Sequence, residues 1–123
     1  SADCVIEYTA TERLSYIYKR YGDEEELVFD YTDIVPYEGC NWGEWLFEAP
    51  AIKHEYDETT QKGRIIFNAP VTGFDSFIEF RRDRLKSITI PETITKIGIL
   101  FNVFIEFLVS NKTEQQNGDE PDK

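Results

Sequence analysis

The chain has 123 residues, which suits one domain of the usual size of about 100–150 residues, and its 41% hydrophobic and 15% aromatic content excludes a wholly disordered chain. Its 24 acidic and 13 basic residues give a net charge of −11. That balance excludes non-specific nucleic-acid binding, which draws on cations against phosphate, and it opposes anionic lipid surfaces.

The abundance of aromatic and β-branched residues predicts a mainly β fold with little helix. Residues 4–9 alternate as a first strand, and Leu14 to Tyr18 form a second after a turn at Thr11-Glu12-Arg13. Gly22 to Glu26 is an acidic loop, followed by a third strand over Leu27 to Tyr31. Ile34 to Pro50 has no clean period, so an irregular, aromatic-rich connection is expected there. Ala51 to Tyr56 and Arg64 to Phe67 read as an antiparallel hairpin around a turn at Asp57 to Gly63. Ile97 to Val109 is nearly all apolar but carries Asn102 and Glu106. It is well short of the roughly 20 apolar residues a membrane span requires, so no span is expected. The polar stretch 111–123 has no apolar anchor and is expected to be a flexible acidic tail.

A shift of 23 positions lays one part of the chain on another: Ile65 on Ile88, Phe67 on Ile90, Val71 on Ile94, Thr72 on Thr95 and Phe74 on Ile97. Phe77 falls on Leu100, or on Phe101 with one insertion. This period lies in the roughly 20–29-residue range of leucine-rich repeats, whose copies stack because none can cover its own apolar face. A third copy would begin near Asn111-Lys112-Thr113, where the β pattern ends. Two copies need a cover, and the strands before residue 60 are expected to supply it. The predicted organisation is a β-rich capping leader over 1–62, two repeat-like units over 63–110 and the tail over 111–123. Ile65–Phe67 and Ile88–Ile90 are expected to lie side by side.

The segment "LKSITIPETITKIG" resembles the repeat of the BspA-like leucine-rich-repeat family of bacterial surface proteins. Leu85, Ser87, Ile88, Ile90, Pro91, Ile94, Thr95, Ile97 and Gly98 stand where that repeat wants them. Gly63, Ile65, Phe67, Pro70, Val71 and Thr72 resemble the segment leading into a first repeat, while residues 12–50 carry little of the likeness. The departures are Phe74-Asp75 in place of Ile-Gly, an early Phe101, and the bulky "NVFIEF" in place of a small polar turn. The resemblance implies a short solenoid, a cell-surface or secreted location, and a role in adhesion to a host or bacterial surface protein or glycan.

The candidate chemistry is sparse. No phosphate loop, nucleophile elbow or HExxH pair is present. His54, the only histidine, falls in a strand, with Glu55 on the opposite face, so a surface or half-buried histidine is expected rather than a catalytic one. Asp23 to Glu26, with Asp30 and Asp33, lack the alternation of a calcium loop and read as solvated acids. Cys4 and Cys40 could form a bridge, two buried thiols, or, for Cys4, a neighbour of a lipid-bearing cysteine upstream. Because methionine is absent even at position 1, the chain is expected to be cut from a longer precursor that could carry a signal sequence.

Trp42 and Trp45 read either as core packing or as a stacking platform for a partner or sugar. The expected function is a non-enzymatic binding or adhesion module without a cofactor. Its contacts are expected at Arg64, Ile66, Lys86, Ser87 and Thr89 on the repeat strands, or at Trp42 and Trp45. The alternatives are a small carbohydrate-binding β module using the two tryptophans and an assembly subunit self-associating through residues 97–109.

Overall fold

A computed structural model describes residues 2–18, 22, 24–74 and 84–97. The chain order is β1 (Val5–Ala10), β2 (Tyr16–Tyr18), β3 (Leu27–Phe29), α1 (Trp42–Phe47), β4 (Ala51–Asp57), β5 (Lys62–Phe67), β6 (Gly73–Phe74), β7 (Leu85–Ile88) and β8 (Lys96–Ile97). The fold is mainly β, as the composition predicts, and its largest sheet is an open four-stranded one in the order β4-β5-β1-β7. Among the described residues no helix is long and apolar enough to cross a membrane.

Alternation builds this sheet. In β1, Ile6, Tyr8 and Ala10 are buried while Glu7 is exposed; in β5, Gly63, Ile65 and Phe67 are buried while Lys62 and Arg64 are exposed. Such a period of two gives an antiparallel sheet one dry face and one wet face. The expected hairpin forms between β4 and β5, in a register that pairs His54 with Ile65 and Glu55 with Arg64.

The expected neighbours are not neighbours. β1 lies between β5 and β7 and is antiparallel to both. The two similar strands therefore run in the same sense but stand two strand spacings apart, roughly 10 Å. β7 also lies earlier than expected, at Leu85–Ile88. Its pairing skips Lys86, because Ala10 faces Leu85 while Thr9 faces Ser87, and this makes Lys86 a bulge residue. The supposed leader strand has entered the sheet, and the expected boundary at 62/63 falls inside β5.

The second halves of the two similar segments behave differently. β6 and β8 pair directly and in parallel, Gly73 with Lys96 and Phe74 with Ile97, at the 23-residue shift. Thr95 N–H donates to the Thr72 carbonyl at 2.9 Å, and the Thr93 hydroxyl donates to the Val71 carbonyl at 2.6 Å. The apolar segment beyond Ile97, the tail, and the matches at Phe77, Leu100 and Phe101 lie outside the described residues.

Helix α1 is the element that sequence periodicity missed. It is only six residues long, too short for a helical period to show, but its capping signal is present. Asn41 stands three residues before Glu44, and its Oδ1 accepts the Glu44 N–H at 2.9 Å. Glu48 ends the helix in a left-handed conformation, φ 62°, with Pro50 just beyond. Trp42, Leu46 and Phe47 face inward. Phe47 sits at the centre of the core, edge-on to Tyr31, Phe67 and Phe74 with ring centroids 5.4–5.7 Å away.

Candidate functional site

The wet face of the four-stranded sheet gathers most of the expected contact residues. Register places Glu55, Arg64 and Glu7 in one row across β4, β5 and β1. Thr89 N–H bonds to the Glu7 carbonyl at 2.8 Å and extends that row past β1. The next row holds Asp57, Lys62, Thr9 and Ser87. The hydroxyls of Thr9 and Ser87 lie 2.6 Å apart. Ile66 is half-buried between Lys53 and Val5, and the bulged Lys86 reaches the side-chain oxygen of Gln61. Arg64, Ile66, Lys86, Ser87 and Thr89 thus share one surface although β1 separates their strands.

The electrostatics of this face are locally balanced. Glu55 accepts from Lys53 Nζ at 2.9 Å and from Arg64 Nε at 2.8 Å. Those two cations, Lys53 first, hold its carboxyl below the usual carboxylate range. A shallow depression of about 330 Å³ lies over these residues, lined by Glu7, Glu55, Tyr56, Asp57, Lys62, Gly63 and Arg64. Alternating charge beside hydroxyls offers hydrogen bonds in both directions, as contact with a protein or a glycan requires.

The tryptophans do not form one platform. Trp42 is 4% exposed and Trp45 40% exposed. Trp42 belongs to the core, stacked on Tyr16 with ring centroids 4.2 Å apart and tilted against Phe29 at 5.4 Å. Trp45, less than one helical turn on, lies at the margin of the buried face and is partly open to solvent. Of the two readings of this motif, core packing holds for Trp42, and surface contact stays open to Trp45 alone.

His54 departs from expectation. It is buried, and both ring nitrogens have partners: Nδ1 lies 2.6 Å from Asp30 Oδ1 and Nε2 lies 2.7 Å from the Tyr8 hydroxyl. Glu55 does lie on the opposite face, as strand alternation requires; the orienting carboxylate comes instead from Asp30, just after β3. Leu14 N–H donates to the Tyr8 hydroxyl oxygen at 3.3 Å, and Asp30 also accepts from Arg13 at 2.9 Å and from Thr32 at 2.6 Å. A neutral imidazole protonated at Nδ1 satisfies every member: Nδ1–H donates to Asp30, and the Tyr8 O–H donates to Nε2. Protonating Nε2 as well would leave the Tyr8 hydroxyl proton without this acceptor.

Burial pushes the Tyr8 phenol up to about 12 and drives that of Tyr31, packed against the His54 ring, higher still. Burial would raise the Asp30 carboxyl too, but the hydrogen bonds from His54, Thr32 and Arg13 outweigh it and hold that group well below the usual range. Neither Tyr8, His54 nor Asp30 lines the depression on the wet face or the cleft of about 440 Å³ between α1 and the β6–β8 pair. Strand alternation reveals that His54 and Glu55 diverge, but no local signal links His54 to Asp30. The network acts as a polar pin that joins β1, β4 and the segment after β3.

Among the described residues no group of three metal-ligating side chains could hold an ion. Asp33 Oδ2 is taken up by the Asp30 N–H at 2.8 Å, and Glu24, Glu25 and Glu26 are exposed. Cys4 and Cys40 are free thiols. Comparison with family models, with curated proteins and with solved structures finds no significant match to this chain.

Proposed function

We propose that the chain is a non-enzymatic, surface-exposed or secreted binding module that presents the wet face of its four-stranded sheet to a protein or glycan. The carrying observation is the convergence of Arg64, Ser87 and Thr89, from two similar segments, on one open polar face. The parallel pairing of Gly73–Phe74 with Lys96–Ile97 at the 23-residue shift supports reading those segments as divergent repeats of the BspA-like kind. Under that reading β1 is inserted between the two copies, so that each packs its strand on this leader strand rather than directly on the other. The resemblance also carries the extracellular location and the adhesive role. The reading needs no cofactor.

The test is binding of the whole chain to a mixed-glycan array and to immobilised mucin and collagen. Arg64→Glu combined with Ser87→Tyr should lower any signal at least tenfold while the far-ultraviolet spectrum stays unchanged. Binding indifferent to both substitutions, or no binding to any of these surfaces, removes the proposal.

Self-association is the second reading. Ile97 is exposed at the end of the β6–β8 pair, where the apolar stretch of the sequence begins. Sedimentation of the purified chain that shows only monomer at high concentration would remove it.

A further inference from the structure

A second surface, on the opposite side of the helix–loop region from the core, has a different chemistry. Residues 34–41 form a small loop closed by a bridge between Ile34 and Asn41 and by Val35 N–H donating to the Cys40 carbonyl at 2.8 Å. At its tip, Glu38 N–H returns to the Val35 carbonyl at 3.2 Å, making a β-turn with Pro36 and Tyr37 at its centre. Tyr37 has φ 66°. A proline followed by a positive φ is the type II turn, whose third position normally calls for glycine. Here that position carries an aromatic ring, 106% exposed. Strain spent on holding a large side chain out in water has no role in the core, and such outliers concentrate where function over-determines them.

The ring is not alone. Asn41 ties together three further exposed apolar residues. Ile34, 63% exposed, bridges to it directly. The Trp45 backbone N–H donates to the Asn41 carbonyl at 3.1 Å, so Trp45 stands one helical turn from Asn41. Ile52, 60% exposed, follows Ala51, whose carbonyl accepts from Asn41 Nδ2 at 2.7 Å and whose N–H donates to Oδ1 at 3.2 Å. Contiguous exposed apolar residues with a polar rim mark interaction sites, and tyrosine and tryptophan are the residues that anchor them.

The loop and helix carry one sign of charge, and the cation beside Ile52, Lys53, is paired with Glu55 at 2.9 Å. From residue 30 to residue 52 the chain carries Asp30, Asp33, Glu38, Glu44 and Glu48, and no lysine or arginine. Asp33, Glu38 and Glu44 are all exposed. The field reaches the middle of the patch, since the Cys40 thiol is pushed up first by burial and then by Glu44 and Glu38.

We propose that the Pro36–Tyr37 turn, with Ile34, Trp45 and Ile52 around Asn41, is a docking knob for a protein partner offering an apolar pocket ringed by lysine or arginine. The Tyr37 ring stands fully in solvent, so whatever binds it must supply the pocket that encloses it. A second copy of the same chain is disfavoured because a two-fold contact would set Glu38 and Glu44 against their own copies. This inference is independent of the role of the sheet face.

The probe is per-6-amino-β-cyclodextrin, an apolar cavity ringed by ammonium groups, titrated into the whole chain and followed by amide chemical shifts. Neutral and sulfated β-cyclodextrins serve as controls. The expected result is shifts centred on Ile34, Tyr37, Trp45 and Ile52, with affinity at least tenfold above that of either control. Tyr37→Ser should lower that affinity at least tenfold while the remaining amide spectrum is retained; Tyr37→Phe and Arg64→Glu should leave it within twofold. Equal affinity for the neutral ring would indicate a sugar-stacking site and overturn the proposal. Shifts scattered over other acidic surfaces would overturn it, as would a concentration-dependent dimer abolished by Tyr37→Ser.

Discussion

His54 Nδ1 and Asp30 Oδ1 meet at 2.6 Å across 24 residues of sequence, and this contact joins the edge strand β4 to the segment that leads into the knob. Because the pair is largely buried and its partners are all engaged, removing one member strands the others. Asp30→Ala should destabilise the fold by about 2–3 kcal/mol, read from denaturant midpoints, since a buried polar group left unpaired costs more than its bond contributes. Tyr8→Phe should cost about 1–2 kcal/mol, because Leu14 N–H and His54 Nε2 both lose their partner.

The same contact sets a direction with pH. Asp30 has a folded-state pKa depressed below its unfolded value, so the stability it contributes is fully present above the unfolded carboxylate value of about 4. That contribution is lost as pH falls below this value toward the folded pKa. Thermal unfolding followed from pH 7 to pH 2 should show the midpoint falling below about pH 4, with a shallower fall in Asp30→Asn. An equally steep fall in that variant would assign the acid sensitivity to other carboxylates.

Gly63 pairs with Tyr8 on one side and Tyr56 on the other, and the two rings stack 6.2 Å apart at 8°. A Cβ on Gly63 would fall against the Tyr8 ring and hydroxyl. The phenol is held by His54 and the Leu14 N–H, so it cannot swing aside. Gly63→Ala should therefore cost about 1–3 kcal/mol, the usual range for overpacking. A neutral result would mean that the Tyr8–His54 bond yields easily.

Asn41→Ala removes the helix cap and both bonds to Ala51. A loss of about 2–3 kcal/mol is expected, more than the roughly 1 kcal/mol of a cap alone. Asn41→Asp keeps the oxygen for Glu44 and Ala51 N–H but loses the donor to the Ala51 carbonyl, so it should fall between wild type and Asn41→Ala in thermal melts.

Tyr37→Gly separates stability from binding. Glycine is at ease at φ 66°, where a side chain costs roughly 1–2 kcal/mol, partly offset by glycine's greater freedom in the unfolded chain. The variant should be as stable as wild type or more stable by up to about 1 kcal/mol, while the aminocyclodextrin affinity falls at least tenfold. A clear loss of stability would mean that the ring has a structural contact on the surface.

How much was legible follows from the range over which each signal acts. Alternation is local, so the sequence by itself determined the mainly β character, the first strand over residues 4–9, the β4–β5 hairpin, and the divergence of His54 from Glu55. The 23-residue shift laid Phe74 on Ile97, which do pair in β6 and β8, but it also set Ile65–Phe67 beside Ile88–Ile90, which β1 separates. Local patterning says nothing of which strand lies beside which. The tertiary structure alone decided that β1 enters between β5 and β7, that Asp30 reaches His54, that Trp42 turns inward while Trp45 does not, and that Asn41 ties the Ile34 loop to the start of β4 at Ala51. Each of these depends on closing a long loop, and the free energy that closes it comes from burying apolar surface against distant segments, which no window of neighbouring residues records.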